Sequence, residues 1–200
     1  MAAQSQLVEM PLFPLAAVLF PRGRLSLRIF EPRYLDLVRE CTREDKGFGV
    51  CLIDPEREAG VATSPAAIGT VARIIDFHGD ADGVLTILVA GTERFTAQRS
   101  RARHDGLLRS SVVLWGDEPT QEVPVEFALL QSIAERLIDM MAPHWRSALR
   151  GDYEDASWLG FRLAELLPLG AGEQQGLLEL SDPLQRLAEL RDILPRFQKP

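Results

Sequence analysis

The sequence predicts an α+β fold, with a β-rich lobe over residues 1–118 and a helical lobe over residues 119–200. Up to residue 116, apolar residues come in short runs punctuated by proline and glycine; beyond residue 124 they recur every three or four positions. The charge divides at the same place. Residues 1–116 hold 14 acidic and 14 basic side chains and residues 117–200 hold 15 and 8, so the whole net charge of −7 lies in the second part.

The front lobe divides into strands and one helix. Residues 12–15 and 25–29 are apolar stretches separated by Pro14, Pro21 and Gly23. Proline removes a backbone donor and glycine frees the backbone, so both interrupt strands. Pro32 suits the first position of a helix, where a missing N–H costs nothing. Tyr34, Leu35, Val38 and Cys41 then share one helical face. Residues 47–53 form a buried-strand pattern ended by Asp54-Pro55. Residues 69–77 and 84–89, joined by the turn Asp80-Ala81-Asp82-Gly83, form a hairpin-like pair. Residues 94–98 and 107–114 complete a set of short strands whose spacing predicts a small barrel or sandwich rather than a parallel sheet.

The rear lobe has helical periodicity. Phe127, Leu130, Ala134, Leu137, Ile138 and Met141 mark an amphipathic helix stopped near Pro143. Residues 157–167 form a second helix, with Leu159, Leu163, Leu166 and Leu167 on one side, and residues 172–180 a third. Ser181-Asp182-Pro183 is a cap followed by a first-turn proline, and opens a fourth helix through Leu184, Leu187, Ala188 and Leu194. The break between lobes falls at residues 116–124.

Composition excludes several classes. With 46% hydrophobic and 26% charged residues over 200 positions, the chain is neither disordered nor fibrous and can bury a sizeable core. A net charge of −7 disfavours a long polyanion as partner. Two cysteines, Cys41 and Cys51, are too few for a disulfide framework and sit among apolar neighbours, as buried thiols do. The polar stretch of residues 1–9 lacks a signal-peptide pattern, and no run approaches the roughly 18 apolar residues of a membrane span. The expectation is a cytoplasmic protein without membrane contact.

Catalytic motifs do not emerge. His78, His104 and His144 have no metal-ligand spacing, and there is no C-x-x-C, so no metal site is expected. His78 beside Asp76 and Asp80 is accounted for by an exposed turn. There is no G-x-S-x-G elbow, and the carboxylates Glu56/Glu58 and Asp152/Glu154/Asp155 fall in polar, solvated stretches. Neither catalytic residues nor a cofactor are expected.

The order of motifs carries a resemblance. Pro11-Leu12-Phe13-Pro14-Leu15, Val18-Leu19-Phe20-Pro21 and Leu25-Ser26-Leu27-Arg28-Ile29-Phe30-Glu31-Pro32-Arg33-Tyr34 come first. Gly69-Thr70-Val71-Ala72-Arg73-Ile74 and Gly91-Thr92-Glu93-Arg94-Phe95 follow. Trp158, Arg162-Leu163-Ala164-Glu165-Leu166-Leu167-Pro168-Leu169 and Asp182-Pro183-Leu184-Gln185-Arg186-Leu187 close the series. Together they resemble the amino-terminal domain of the Lon protease over nearly the whole chain. Two departures stand out: Arg22-Gly23 replaces an immediate glycine after Pro21, and Ser26 stands where the family often has proline. The resemblance implies a PUA-like pseudobarrel followed by a helical bundle, and a role in recognising polypeptides. The 200 residues contain no G-x-x-x-x-G-K-[ST] phosphate loop. The expected form is therefore a stand-alone domain without Lon's ATPase and peptidase, a non-catalytic module or adaptor.

Two groups are candidate sites. Phe13, Phe20, Phe30 and Tyr34, interleaved with prolines, are each core candidates by size. As a set they could line a groove for unfolded or extended polypeptide, with an ATP-dependent protease acting in trans. Arg94, Arg99, Arg101, Arg103 and Arg109, with His104, form the densest basic stretch and are the alternative, an RNA-binding surface. The alternation of Arg99, Arg101 and Arg103 is also that of a solvent-facing strand, and only Phe95 is near enough to stack on a base, so nucleic acid is the less expected partner.

Overall fold

The structure is a computed structural model that describes residues 7–53, 64–79, 84–141 and 150–197. It has the α+β architecture expected, in two compact units, Met1–Asp117 and Glu118–Pro200.

The first unit contains, in chain order, β1 (Leu7–Leu15), β2 (Arg24–Ile29), α1 (Pro32–Glu44), β3 (Phe48–Leu52), β4 (Ile68–Gly79), β5 (Leu85–Ala102) and β6 (Leu108–Gly116). The strands lie in the order β2-β5-β4-β3-β1-β6, and β6 pairs back onto β5. Five strands therefore close a small barrel, while β2 lies beside it on the first half of β5. One pair in this barrel is parallel, β1 with β3, in the register Leu12↔Gly49 to Leu15↔Leu52. The other strand pairings are antiparallel.

The 18-residue β5 replaces the two strands expected at residues 84–89 and 94–98. Its residues 85–90 pair with β2 and its residues 94–102 with β6, while β4 runs along residues 85–96. Gly91, which looks like a turn in the sequence, is instead a point of close approach. A Cβ there would overlap the Phe20 carbonyl. The turn at residues 80–83 lies outside the described residues.

Strand β3 is buried along its whole length because it separates two apolar clusters. Phe48 and Val50 pack with Phe13, Leu27, Ile29, Leu37, Val38 and Cys41. On the opposite face, Cys51 packs with Met10, Leu12, Val71, Phe95 and Val112. The Phe95 ring lies against Gly49, where a Cβ would sit 2.6 Å from its Cζ atom. Helix α1 begins at Pro32 as expected and buries Leu37, Val38 and Cys41, while Tyr34 and Leu35 are half-buried at its margin. It ends at Asp45 in the left-handed conformation.

The second unit opens with a 3-10 turn, Val125–Phe127, and continues through α2 (Ala128–Met141), α3 (Arg150–Tyr153), α4 (Ala156–Leu166), α5 (Ala171–Glu179) and α6 (Pro183–Ile193), then a second 3-10 turn, Leu194–Phe197. In α2, Leu130, Ala134 and Ile138 are buried, whereas Met141, expected on the apolar face, is exposed. Pro143 lies outside the described residues. Helix α4 is not one-sided as its leucines suggested. Trp158, Leu159, Phe161, Arg162, Leu163 and Ala164 are all buried, since α2, α5 and α6 pack around it. Asp155, expected in a solvated stretch, caps α4 by accepting a hydrogen bond from the Ser157 N–H, and Asp182 caps α6 through the Leu184 N–H.

A fully buried arginine ties these helices together. Arg186 donates to both carboxylate oxygens of Glu118, at 3.0 and 2.6 Å, and to the carbonyls of Leu177 and Leu180. Its guanidinium lies 3.8 Å from the Phe161 ring centroid. Ser157 donates to the same carboxylate. Arg186→Ala is expected to destabilise the protein by about 3–5 kcal/mol, because it removes the guanidinium that balances the largely buried Glu118 carboxylate. Urea or thermal unfolding of the variant checks this.

The thiols give a second test. Burial, reinforced by neighbouring Glu40, pushes Cys41 up to about 11 from the usual 9.0, and burial alone pushes Cys51 up to about 12. The folded state thus holds both protons to higher pH than the unfolded chain. Their contribution to stability is complete below pH 9.0 and is lost as pH rises towards 11–12. Native protein should resist thiol reagents at neutral pH and react at two sites once unfolded.

Candidate functional site

In the first unit, a cleft of about 520 Å³ opens where the end of β1, the end of β2 and the start of α1 meet. β1 contributes Phe13, Pro14 and Leu15, and Ile53 follows from β3. Arg28 stands on β2, Phe30 and Glu31 lie in the connection to α1, and Arg33 and Tyr34 fall in its first turn. Gly106 and Leu108 close the wall.

The floor is aromatic. Phe13 and Tyr34 are stacked at 4.2 Å between ring centroids with a 30° tilt, and Phe48 backs Phe13 at 6.0 Å. Phe30 stands over the mouth with 72% of its surface exposed. Beside the stacked Phe13–Tyr34 pair, this ring adds exposed apolar surface to the cleft. Arg33 lies 4.7 Å from the Tyr34 ring centroid, pairs with Glu31 at 2.7 Å and donates to the Gly106 carbonyl at 3.1 Å. Burial raises the Tyr34 hydroxyl above its usual range, with Arg33 opposing and Glu31 adding to the shift. The tyrosine is therefore a neutral hydrogen-bonding group at physiological pH.

Three of the four aromatic candidates, Phe13, Phe30 and Tyr34, thus line one cleft. Phe20 does not. It is 1% exposed, held where its carbonyl meets Gly91 across β5. Arg28, Glu31, Arg33, Ile53, Gly106 and Leu108 were not singled out in the sequence. Arg28, Glu31 and Arg33 sit within the same motif as Phe30 and Tyr34, which is the signal that would have found them. Gly106 and Leu108 arrive from a distant hairpin.

The arginines of the basic stretch have different surroundings, and Arg101 and Arg109 face each other across β5 and β6. Arg94 is 3% exposed, its guanidinium 4.3 Å from the Trp115 ring centroid. Arg101 pairs with Glu9 at 3.4 Å, Arg103 with Asp105 and Arg109 with Glu40. Arg99 and His104 are exposed. His78 pairs with Asp76 at 3.2 Å on the exposed end of β4, on a strand rather than in a turn; His144, Glu56 and Glu58 lie outside the described residues. Among the described residues no helix is long and apolar enough to cross a membrane.

The comparisons with known proteins agree with one another. Residues 9–196 match the family model for the ATP-dependent protease La (LON) substrate-binding domain. The crystal structure of a Lon N-terminal domain protein from Xanthomonas campestris is 43% identical, covers 92% of this chain and 98% of its own, and superposes with a TM-score of 0.78. The N-terminal domain of Mycobacterium avium complex Lon protease shares the fold at 18% identity and a TM-score of 0.63, over 92% of this chain and 97% of its own. Lon protease of Flavobacterium johnsoniae is 27% identical over 96% of this chain and 24% of its own length. The chain spans about a quarter of the length of the curated relatives it matches.

Core and cleft aromatics should separate in stability. Phe20→Ala is expected to cost about 3–5 kcal/mol through the cavity it leaves, while Phe30→Ala should stay within roughly 0.5 kcal/mol of the parent. Paired denaturant unfolding curves measure both.

Proposed function

Since the chain belongs to the ATP-dependent protease La (LON) substrate-binding domain family, we propose that it is a non-catalytic module that binds unfolded or extended polypeptide in the cleft formed by Phe13, Phe30 and Tyr34. It acts in the cytoplasm, where two buried free thiols remain reduced. It serves as an adaptor, presenting clients to an ATP-dependent protease supplied in trans.

The observation that carries this reading is the exposed Phe30 ring beside the stacked Phe13–Tyr34 pair in a cleft of about 520 Å³. An apolar side chain entering there leaves water against three aromatic rings, while the Tyr34 hydroxyl and the arginines offer hydrogen bonds to the peptide main chain. The shape demands no particular side chain, which suits recognition of many unfolded sequences. RNA binding has less support. Of the five arginines proposed for it, Arg94 is buried against Trp115, and Arg101, Arg103 and Arg109 are engaged with carboxylates, so their charge is offset where a phosphate would need it.

Fluorescence anisotropy with labelled apolar peptides and a denatured protein tests the reading. Saturable binding on the order of micromolar is expected, since a disordered ligand loses conformational entropy on ordering. Phe30→Ala should weaken it by about fivefold, the equivalent of roughly 1 kcal/mol of apolar contact, without altering the melting temperature. Absence of binding at high peptide concentration would refute it, as would Phe30→Ala binding like the parent.

A further inference from the structure

The barrel wall has a gap beside the start of β3. That strand lies between β1 and β4, but its pairing with β1 begins only at Leu12↔Gly49 and its pairing with β4 reaches only to Phe48↔Ala72. Both neighbours run past this end, β1 from Leu7 and β4 to Gly79. The cause is local. The Ile53 N–H donates to the Leu15 carbonyl at 2.9 Å, so Leu15 turns its main chain towards β3. Successive residues of a strand turn to opposite sides, and Phe13, Pro11 and Glu9 therefore turn the same way as Leu15. Pro11 has no N–H to give the Gly47 carbonyl, which accepts from the Cys41 thiol at 3.8 Å instead. Before Pro11, β1 is paired with β6 on one side and, among the described residues, with no strand on the other. The N–H and C=O of Glu9 thus face the gap as an open strand edge, a template for another strand.

A cavity of about 390 Å³ occupies the gap. Its floor is the mouth of the apolar cluster inside the barrel, with buried Met10 and Val71 and half-buried Val8 and Leu114 beside them. Its rim is charged. Glu40 pairs with Arg109, Glu44 with Lys46 at 3.0 Å and Glu9 with Arg101 at 3.4 Å. Glu93 differs from these. It is half-buried at the cavity, and among the described residues its carboxylate has no ion-pair partner. A carboxylate partly withdrawn from water and left unpaired favours a cation brought by a ligand.

We propose that this gap is a second polypeptide site, separate from the cleft, whose occupant is an extended segment of another protein carrying a basic side chain among apolar ones. The segment continues the line that β3 leaves and bonds its main chain to Glu9. Its apolar side chains rest on Met10, Val71 and Leu114, and its ammonium or guanidinium group meets Glu93. The open main-chain edge favours a strand over a small molecule, and the unpaired carboxylate favours a basic segment over an acidic one. The site depends neither on the cleft nor on Phe30.

The test uses three labelled peptides, acetylated and amidated, that differ at one position between valines: Lys, Gln or Glu. Fluorescence anisotropy should show the Lys peptide binding tightest, by roughly fivefold over the Glu peptide, as expected for a solvent-accessible ion pair against a repulsion. Added salt should reduce the difference. Glu93→Gln should bring the Lys peptide to the level of the Gln peptide, and Glu93→Lys should reverse the order. N-methylation of the peptide nitrogens should weaken the Lys peptide by roughly fivefold or more, since it removes the donors that reach Glu9. Phe30→Ala should leave the preference for Lys unchanged. Should Glu93→Lys fail to fold, Glu93→Gln and the peptide series decide the question on the folded protein. Equal binding of the three peptides, absence of binding by all of them, or binding that N-methylation leaves unaltered would overturn the proposal. A preference for Lys that disappears in Phe30→Ala would overturn it by assigning the peptides to the cleft. A dimer in sedimentation that the Lys peptide dissociates would overturn it by assigning the gap to a second copy of the chain.

Discussion

The β unit depends on one strand being long enough to serve three neighbours. β5 carries β2 on its first half and β6 on its second, along the same edge, while β4 occupies the other edge. A strand of ordinary length, about 5–6 residues, could hold one of these partners but could not close a barrel and carry an extra strand outside it. Register shifts between Arg94/Phe95 and Ala97/Arg99 fall where β5 meets β6. Bulges of this kind bend a strand and increase its twist, which is what closure requires. The same continuity positions the cleft. It fixes β2, and with it Arg28 and Phe30, beside the end of β1.

The class of the fold and most of its elements were legible in the sequence because they depend on local patterning. Proline at residue 32 and Asp182-Pro183 mark helix starts through backbone chemistry that tertiary contacts do not alter. The long strand was not legible. Gly91 signals a break if only neighbours in sequence are considered, and it is the carbonyl of Phe20, from another segment, that requires glycine there. Helix α4 was legible as a helix but not as a buried one, since the packing of three helices around it leaves no solvent face for periodicity to report. Arg162 and Arg186 look like its surface and that of α6, yet both are fully buried.

The candidate site was half legible. The motif that holds Phe13, Phe30 and Tyr34 identifies a group of large side chains, but size alone does not separate a core ring from a cleft ring. Phe20 and Phe30 are ten residues apart in the same proline-rich stretch and have opposite fates. Phe20 lies in the connection between β1 and β2, buried where its carbonyl meets Gly91, and Phe30 lies in the connection between β2 and α1, exposed. The surroundings of the basic stretch were hidden for a related reason. Charge is visible in sequence, whereas the carboxylates that offset it, Glu9 and Glu40, come from β1 and α1.

The Arg186–Glu118 pair has a consequence for how such domains are joined to others. Glu118 is the first residue of the helical unit, so the unit's internal wiring reaches to its very border. A recombination joint just before it transfers the helices with their counter-ion. A joint one residue later transfers a guanidinium into a new protein without the carboxylate that made it tolerable inside. The place where this module can be cut and spliced is therefore constrained by the chemistry of a single side chain, and gene fusions that respect it carry a helical unit whose buried guanidinium keeps its counter-ion.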